Sequence, residues 1–154
     1  MAFELSDEAL VSRADEIAEK AHQGQLDKIG RPYIDHPRRV AARLDTADAK
    51  AAALLHDVIE DSELTAADLR AEGIPRRVVD AVVLLTRCAD VPDAVYYRRI
   101  LGDELAHVVK LADLADNTDP RRLAQIGEPL RTALREKYRN AYAALGAPEL
   151  APAL

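Results

Sequence analysis

The segment AALLHDVIED, residues 52–61, constrains the fold more than any other stretch of the chain. On a helix with about 100° per residue and His56 as origin, Glu60 falls at about 40°, Asp57 at about 100° and Asp61 at about 140°. Ala52, Leu54, Leu55, Val58 and Ile59 fill the arc from about 160° to about 320°. A helix split in this way buries its apolar arc and turns the other toward something polar. An amphipathic surface helix gives the same split, but surface arcs usually mix in Lys and Arg. Here one His and three carboxylates crowd together with only Lys50 as a nearby cation. Like charges this close repel, so a positive group is expected between them.

The sequence around this segment reads as helices throughout. Aromatic residues are 4% of the 154, Trp is absent, and Ala, Leu, Arg and Glu are abundant, which favours helices over strands. The length argues for one domain. Ser6 can cap a first helix with the stripe Leu10, Ala14, Ile17, Ala18 and Ala21. Gly24, Gly30 and Pro32 make residues 23–36 a loop. Pro37 suits the first position of a second helix, to about Leu44. Thr46 can cap a third through about Glu60, and Thr65 a short fourth ending near Gly73. Pro75 and Pro92 open a fifth, about 76–87, and a sixth ending near Gly102. A seventh spans about 103–117 and the last about 128–145, stopped by Gly146. The expectation is an all-α, compact single domain of about eight helices over residues 1–146, with a frayed tail at 147–154.

The net charge is −6. A duplex binder needs a basic face, so nucleic acid is not an expected partner. A phosphorylated small molecule is, because a metal and a few placed cations reverse the local field. No stretch approaches the ~20 apolar residues that span a bilayer, and no basic leader opens the chain, so a cytoplasmic protein without a membrane partner is expected. Self-association stays open. Cys88, the one cysteine, excludes an intrachain disulfide and reads as a small buried apolar residue.

A second polar face lies on VVKLADLADN, residues 108–117, where Asp113 and Asn117 are four apart and Lys110 and Asp116 flank them. YIDHP puts His36 at the junction of a loop and a helix. Each feature alone is an ordinary surface motif. Together, two His and two Asp offer nitrogen and oxygen ligands to one divalent ion of the Mn, Fe, Zn or Mg kind. Such an ion acidifies a bound water. Glu60 and Asp61, beside those ligands, are placed to orient that water or carry its proton.

Five stretches, AHQGQLDKIGRPYIDHP (21–37), AALLHDVIEDSELT (52–65), LLTR (84–87), VVKLADLADNTDP (108–120) and EKYRNAYAALG (136–146), resemble the hydrolase domain of Rel/SpoT-type alarmone enzymes. They are still more similar to the stand-alone small alarmone hydrolases. The resemblance implies an HD-type helical fold and a Mn²⁺-dependent hydrolase that removes the 3′-pyrophosphate of ppGpp or pppGpp. It places the metal ligands at His36, His56, Asp57 and Asp113, and the catalytic acidic pair at Glu60 and Asp61. The nucleotide side falls on Lys28, Tyr33, Asn117 and Tyr138. Further cations for phosphates are Lys110 and the pairs Arg98-Arg99 and Arg121-Arg122.

Two positions depart from the family pattern. Its usual Arg-Lys pair reads Asp27-Lys28, so a guanidinium that packs on guanine is replaced by a carboxylate. Its KLADRLHN reads KLADLADN, which removes a basic residue beside Asn117. Metal chemistry survives both changes, whereas the base is left open: an adenine alarmone or NADPH as substrate, or a non-catalytic nucleotide-binding HD protein, are the alternatives.

Overall fold

The computed structural model describes residues 4–152, and among these no strand is formed. Ten α-helical segments follow one another: α1 (Asp7–Ala21), α2 (Asp35–Ala42), α3 (Ala47–Leu55), α4 (Val58–Asp61), α5 (Ala66–Ala71), α6 (Arg76–Leu85), α7 (Asp93–Leu101), α8 (Glu104–Asn117), α9 (Pro120–Leu123) and α10 (Leu130–Ala144). The side chains of Ser6, Thr46, Thr65 and Asp103 each accept the amide three residues on, capping α1, α3, α5 and α8. Pro75 and Pro92 sit at the N-caps of α6 and α7. The start signals were therefore in the sequence.

Helix α3 is the centre of the core. Ala49, Ala51, Ala52, Ala53, Leu54 and Leu55 are all buried, and α1, α2, α6 and α8 pack around it. Alanines on several sides let those helices approach closely, while Leu55, fully buried, fills the space between them. Its truncation to Ala would cost about 2–5 kcal/mol. This packing fixes the C-terminal end of α3 against α2 and α8, and the polar constellation gathers there.

Four expectations are corrected. The third helix does not run unbroken to Glu60. His56 Nδ1 donates to the Ala53 carbonyl at 2.5 Å, the acceptor that an uninterrupted helix would offer to the amide of Asp57. Asp57 then takes φ −106°, ψ 0°, and α4 starts afresh at Val58. Helix α2 begins at Asp35, so His36 stands inside its first turn and Pro37 occupies a position whose missing N–H costs nothing. Cys88 is exposed, because α6 ends at Leu85 and Cys88 falls in the turn beyond it. Before the tail, Gly146 adopts φ +72° as the expected helix stop requires. Beyond it, the 3₁₀ turn Pro148–Leu150 packs on α10 rather than fraying. Residues 153–154 of that tail, like 1–3, lie outside the described residues.

Helix α9 was not anticipated, although Asp119-Pro120 carries its signal: Asp119 caps the amide of Arg121 and Pro120 takes the first turn.

Candidate active site

Three separate elements bring four ligand-type side chains together. His36 comes from the first turn of α2, His56 and Asp57 from the break between α3 and α4, and Asp113 from the buried face of α8. His36 Nε2 lies 2.9 Å from Asp113 Oδ1. His56 Nε2 lies 3.4 Å from the same oxygen and 3.1 Å from Asp57 Oδ2. The ligand atoms of His36, His56 and Asp57 all fall within 4.8 Å of one another.

The geometry suits one divalent cation. Bonds of about 2.1 Å at right angles give ligand–ligand edges of about 3.0 Å, near the 2.9, 3.1 and 3.4 Å of the imidazole–carboxylate pairs. The compact group is His36, His56 and Asp57, and Asp113 lies outside it while reaching both imidazoles. Both imidazoles spend Nδ1 on an acceptor, His36 on Asp116 Oδ2 at 2.6 Å and His56 on the Ala53 carbonyl. Each thereby turns Nε2 toward the carboxylates, as the atom that would give its lone pair to an ion held there. His56 Nε2 is buried with no hydrogen-bond partner, so its nearby oxygens are not aligned to receive a proton from it. The field has the sign a cation needs. Against the opposing effect of burial, Asp57 and Asp113 hold the His56 imidazole well above its ordinary range. Asp113 and Asp116 raise that of His36. Asp113 is held well below the ordinary carboxylate range, despite burial, by Lys110 and the two histidines.

A cavity of about 370 Å³ opens over this cluster, within the usual range for small-ligand sites. Glu60 and Asp61 line it beside Asp57. Glu60 Oε1 accepts the Arg87 amide at 2.7 Å. Burial, then Asp57 and Glu60, push the Asp61 carboxyl up to about 6. Tyr33 reaches the cavity but donates its hydroxyl to Asp57 Oδ2, so it holds a candidate ligand as well as facing the space above. Asn117 Nδ2 donates to Asp113 Oδ1 at 3.2 Å. Lys28 and Tyr138 line the walls.

The other anticipated cations divide. Lys110 is tied to Asp113 Oδ2 at 2.9 Å and belongs to the buried cluster. Arg122 lines the cavity, whereas Arg98, Arg99 and Arg121 do not. Asp27 Oδ1 accepts the amides of Ile29 and Arg31 at 3.0 and 2.9 Å. Its Oδ2 is 3.6 Å from Arg122 Nη2. The position that departs from the family pattern thus fastens a turn and pairs with α9. Sequence reasoning missed the role of Asp116, which it treated only as a flanking residue, and it did not single out Arg39, Arg87 or Lys137. A carboxylate three residues after Asp113 on one face of α8 was the available signal for Asp116.

No family model matches the chain. Curated relatives do. A guanosine-3′,5′-bis(diphosphate) 3′-pyrophosphohydrolase of Aquifex aeolicus is 31% identical over 147 residues, covering 88% of this chain and 21% of its own length. A protein of that name from Haemophilus influenzae is 49% identical over 78 residues, 46% of this chain and 11% of the relative. A solved structure described as a metazoan ortholog of SpoT that hydrolyzes ppGpp aligns with TM-score 0.72 and 23% identity, over 94% of this chain and 88% of that one. The chain is an HD-type helical domain. Its relatives are the Rel/SpoT-type alarmone proteins, and it spans about a fifth of the length of the Aquifex protein, 21%. No helix of the described residues is long and apolar enough to cross a membrane.

Proposed function

We propose that this HD-type domain hydrolyses the 3′-pyrophosphate of a guanosine alarmone, ppGpp or pppGpp, with manganese held by His36, His56, Asp57 and Asp113. The observation that carries the reading is the gathering of His36, His56 and Asp57, with Asp113 against both imidazoles, beneath a cavity whose walls add Lys28, Arg87 and Arg122. An acidic floor with cationic walls matches a metal-assisted attack on a phosphorylated substrate. When bound, a divalent ion lowers the pKa of a water and draws charge from the phosphate oxygens.

The chain's own groups supply the rest. The new bond joins a water oxygen to the phosphorus on the ribose 3′ oxygen. The bond from that phosphorus to the 3′ oxygen breaks, and pyrophosphate and GDP or GTP result. Asp61, which lines the cavity beside Asp57, takes the water proton and passes it on toward the departing 3′ oxygen. Glu60, anchored on the Arg87 amide, orients the water. Tyr33 and Lys110 hold Asp57 and Asp113 in place.

The test is product release from ppGpp, pppGpp, ppApp and NADPH in the presence of Mn²⁺. Pyrophosphate from the guanosine compounds supports the reading. Turnover of ppApp or NADPH alone replaces the substrate and keeps the chemistry, and release of nothing from any of them overturns the hydrolase reading. The panel includes the adenine compounds because Asp27 stands where an arginine stacks on guanine in the family.

A further inference from the structure

Lys137, on α10, lines the catalytic cavity and a second cavity of about 550 Å³ that continues from it past Arg87, Tyr97 and Ala141. Its ammonium lies 6.0 Å from the centre of the Tyr138 ring. Lys28, at the rim of the turn fastened by Asp27, lines the catalytic cavity as well. Among the described residues neither lysine has an ion-pair partner within reach, in contrast to Lys110, which is paired with Asp113. Arg87 stands at the boundary of the two cavities, stacked 4.3 Å from the centre of the Tyr96 ring and oriented by Asp93 and by the Tyr97 hydroxyl. Glu136 is the other carboxylate on that side.

The cations repel one another as the carboxylates of the metal cluster do. Partial loss of solvent, then the charges of Lys110, Lys28 and Arg87, hold the Lys137 ammonium below its ordinary range. Two ammonium groups without an ion-pair partner, Lys28 and Lys137, both exposed at the cavity wall, therefore face an open space. Arg87, already paired to Asp93, stands beside them, and such a wall attracts a counter-charge from outside. The metal cluster handles one phosphate group at the cavity floor, so an anion at Lys137 is a different part of the same molecule.

We infer that Lys137, with Lys28 and Arg87, forms a second anion subsite that takes the phosphate group remote from the scissile bond and selects nucleotides phosphorylated at both ends of the ribose. This rests on the reading of the cavity as a nucleotide site. Lys137 is a specificity-determining residue in that scheme: it contacts substrate far from the reacting phosphorus.

The variant is Lys137→Met, which keeps an unbranched apolar stem beside Tyr138 and removes the charge. On ppGpp, kcat/KM falls ~tenfold, the size of a lost hydrogen bond to a charged group. On guanosine 3′-pyrophosphate, which lacks the 5′ phosphates, it changes less than about twofold, and Lys137→Arg restores most of the loss on ppGpp. Equal losses on both substrates, or none on either, overturn the subsite. Calorimetry with inorganic pyrophosphate on chelator-treated protein tests it without turnover: wild type binds ~tenfold more tightly than Lys137→Met. If the wild-type protein cleaves no nucleotide, the function reading fails and calorimetry alone decides. Lys137-dependent binding then keeps the subsite, and equal binding or none rejects it.

Discussion

His36 Nδ1 and Asp116 Oδ2 lie 2.6 Å apart, with both side chains almost wholly buried. Arg39 bonds the same carboxylate through both oxygens, at 2.8 and 3.1 Å. The pairing fixes which imidazole nitrogen carries the proton and aims Nε2 at Asp113. Partners of this kind raise the basicity of a ligating histidine, and their loss typically costs ~10–100-fold in metal affinity. Asp116→Ala is therefore expected to weaken Mn²⁺ binding by that factor in calorimetry. Asp116→Asn, whose amide oxygen still accepts from Nδ1, should lose less. Wild-type affinity in a folded Asp116→Ala protein would show that α2 alone orients His36.

Manganese should also appear as stability. A ligand at a hundred times its Kd adds ~2.7 kcal/mol. For a domain of this size each kcal/mol moves Tm by ~2–4 °C, so a rise of ~5–10 °C over chelator-treated protein is expected. Asp113→Asn should abolish the rise, because Asp113 stands between both Nε2 atoms. An undiminished metal-induced rise in that variant would place the ion elsewhere.

Glu60→Gln and Asp61→Asn separate catalysis from metal binding. Neither group pairs with His36 or His56, as Asp57 and Asp113 do, and both line the cavity beside Asp57. Each substitution should lower turnover of ppGpp by ~10²–10⁴ while leaving the manganese-induced rise in Tm within a degree or two of wild type. Glu60→Gln carries a second effect, since the amide oxygen still accepts the Arg87 amide but without a charge. Loss of both turnover and the thermal response would mean that these carboxylates hold the ion.

The four candidate ligands were legible because each sits beside a strong local signal. His56 and Asp57 end an Ala- and Leu-rich core helix, Asp113 follows a buried Ala112, and His36 precedes a proline. The break at His56 was not legible, because an uninterrupted 3.6-residue period places the same residues on the same broad arc. Only the Nδ1 bond to Ala53 tells a bent chain from a straight one. The spacing from Asp113 put Asp116 on the right face, but its role was not legible, since its partners His36 and Arg39 are 80 and 77 positions away. Cys88 was misplaced for a similar reason. Its burial depended on where α6 stops, and Thr86 and Arg87 turn away from helical geometry before Cys88 is reached.

Asp27 gives a last prediction, of stability rather than rate. Its Oδ1 accepts two amides, those of Ile29 and Arg31, and closes the turn that carries Lys28. Its Oδ2 faces Arg122 at 3.6 Å with both side chains largely covered, 7% and 20% exposed. Removing the acceptor frees both amides, so Asp27→Ala should cost about 1–2 kcal/mol, the size of a lost capping oxygen. Asp27→Asn keeps Oδ1 and gives up only the ion pair, worth ~0–1 kcal/mol at a partly exposed site. Against burial, the two amides and Arg122 hold this carboxyl below its ordinary value of 3.8. A lowered folded-state value contributes fully above the ordinary 3.8 and is lost as pH falls on through the lower folded-state value, so the gap between wild type and Asp27→Ala should narrow in acid. Urea denaturation of the three proteins at neutral pH and below pH ~4 measures both effects. Equal destabilisation by Ala and Asn at neutral pH would show that the charge facing Arg122, not the bonds to the turn, is what Asp27 contributes.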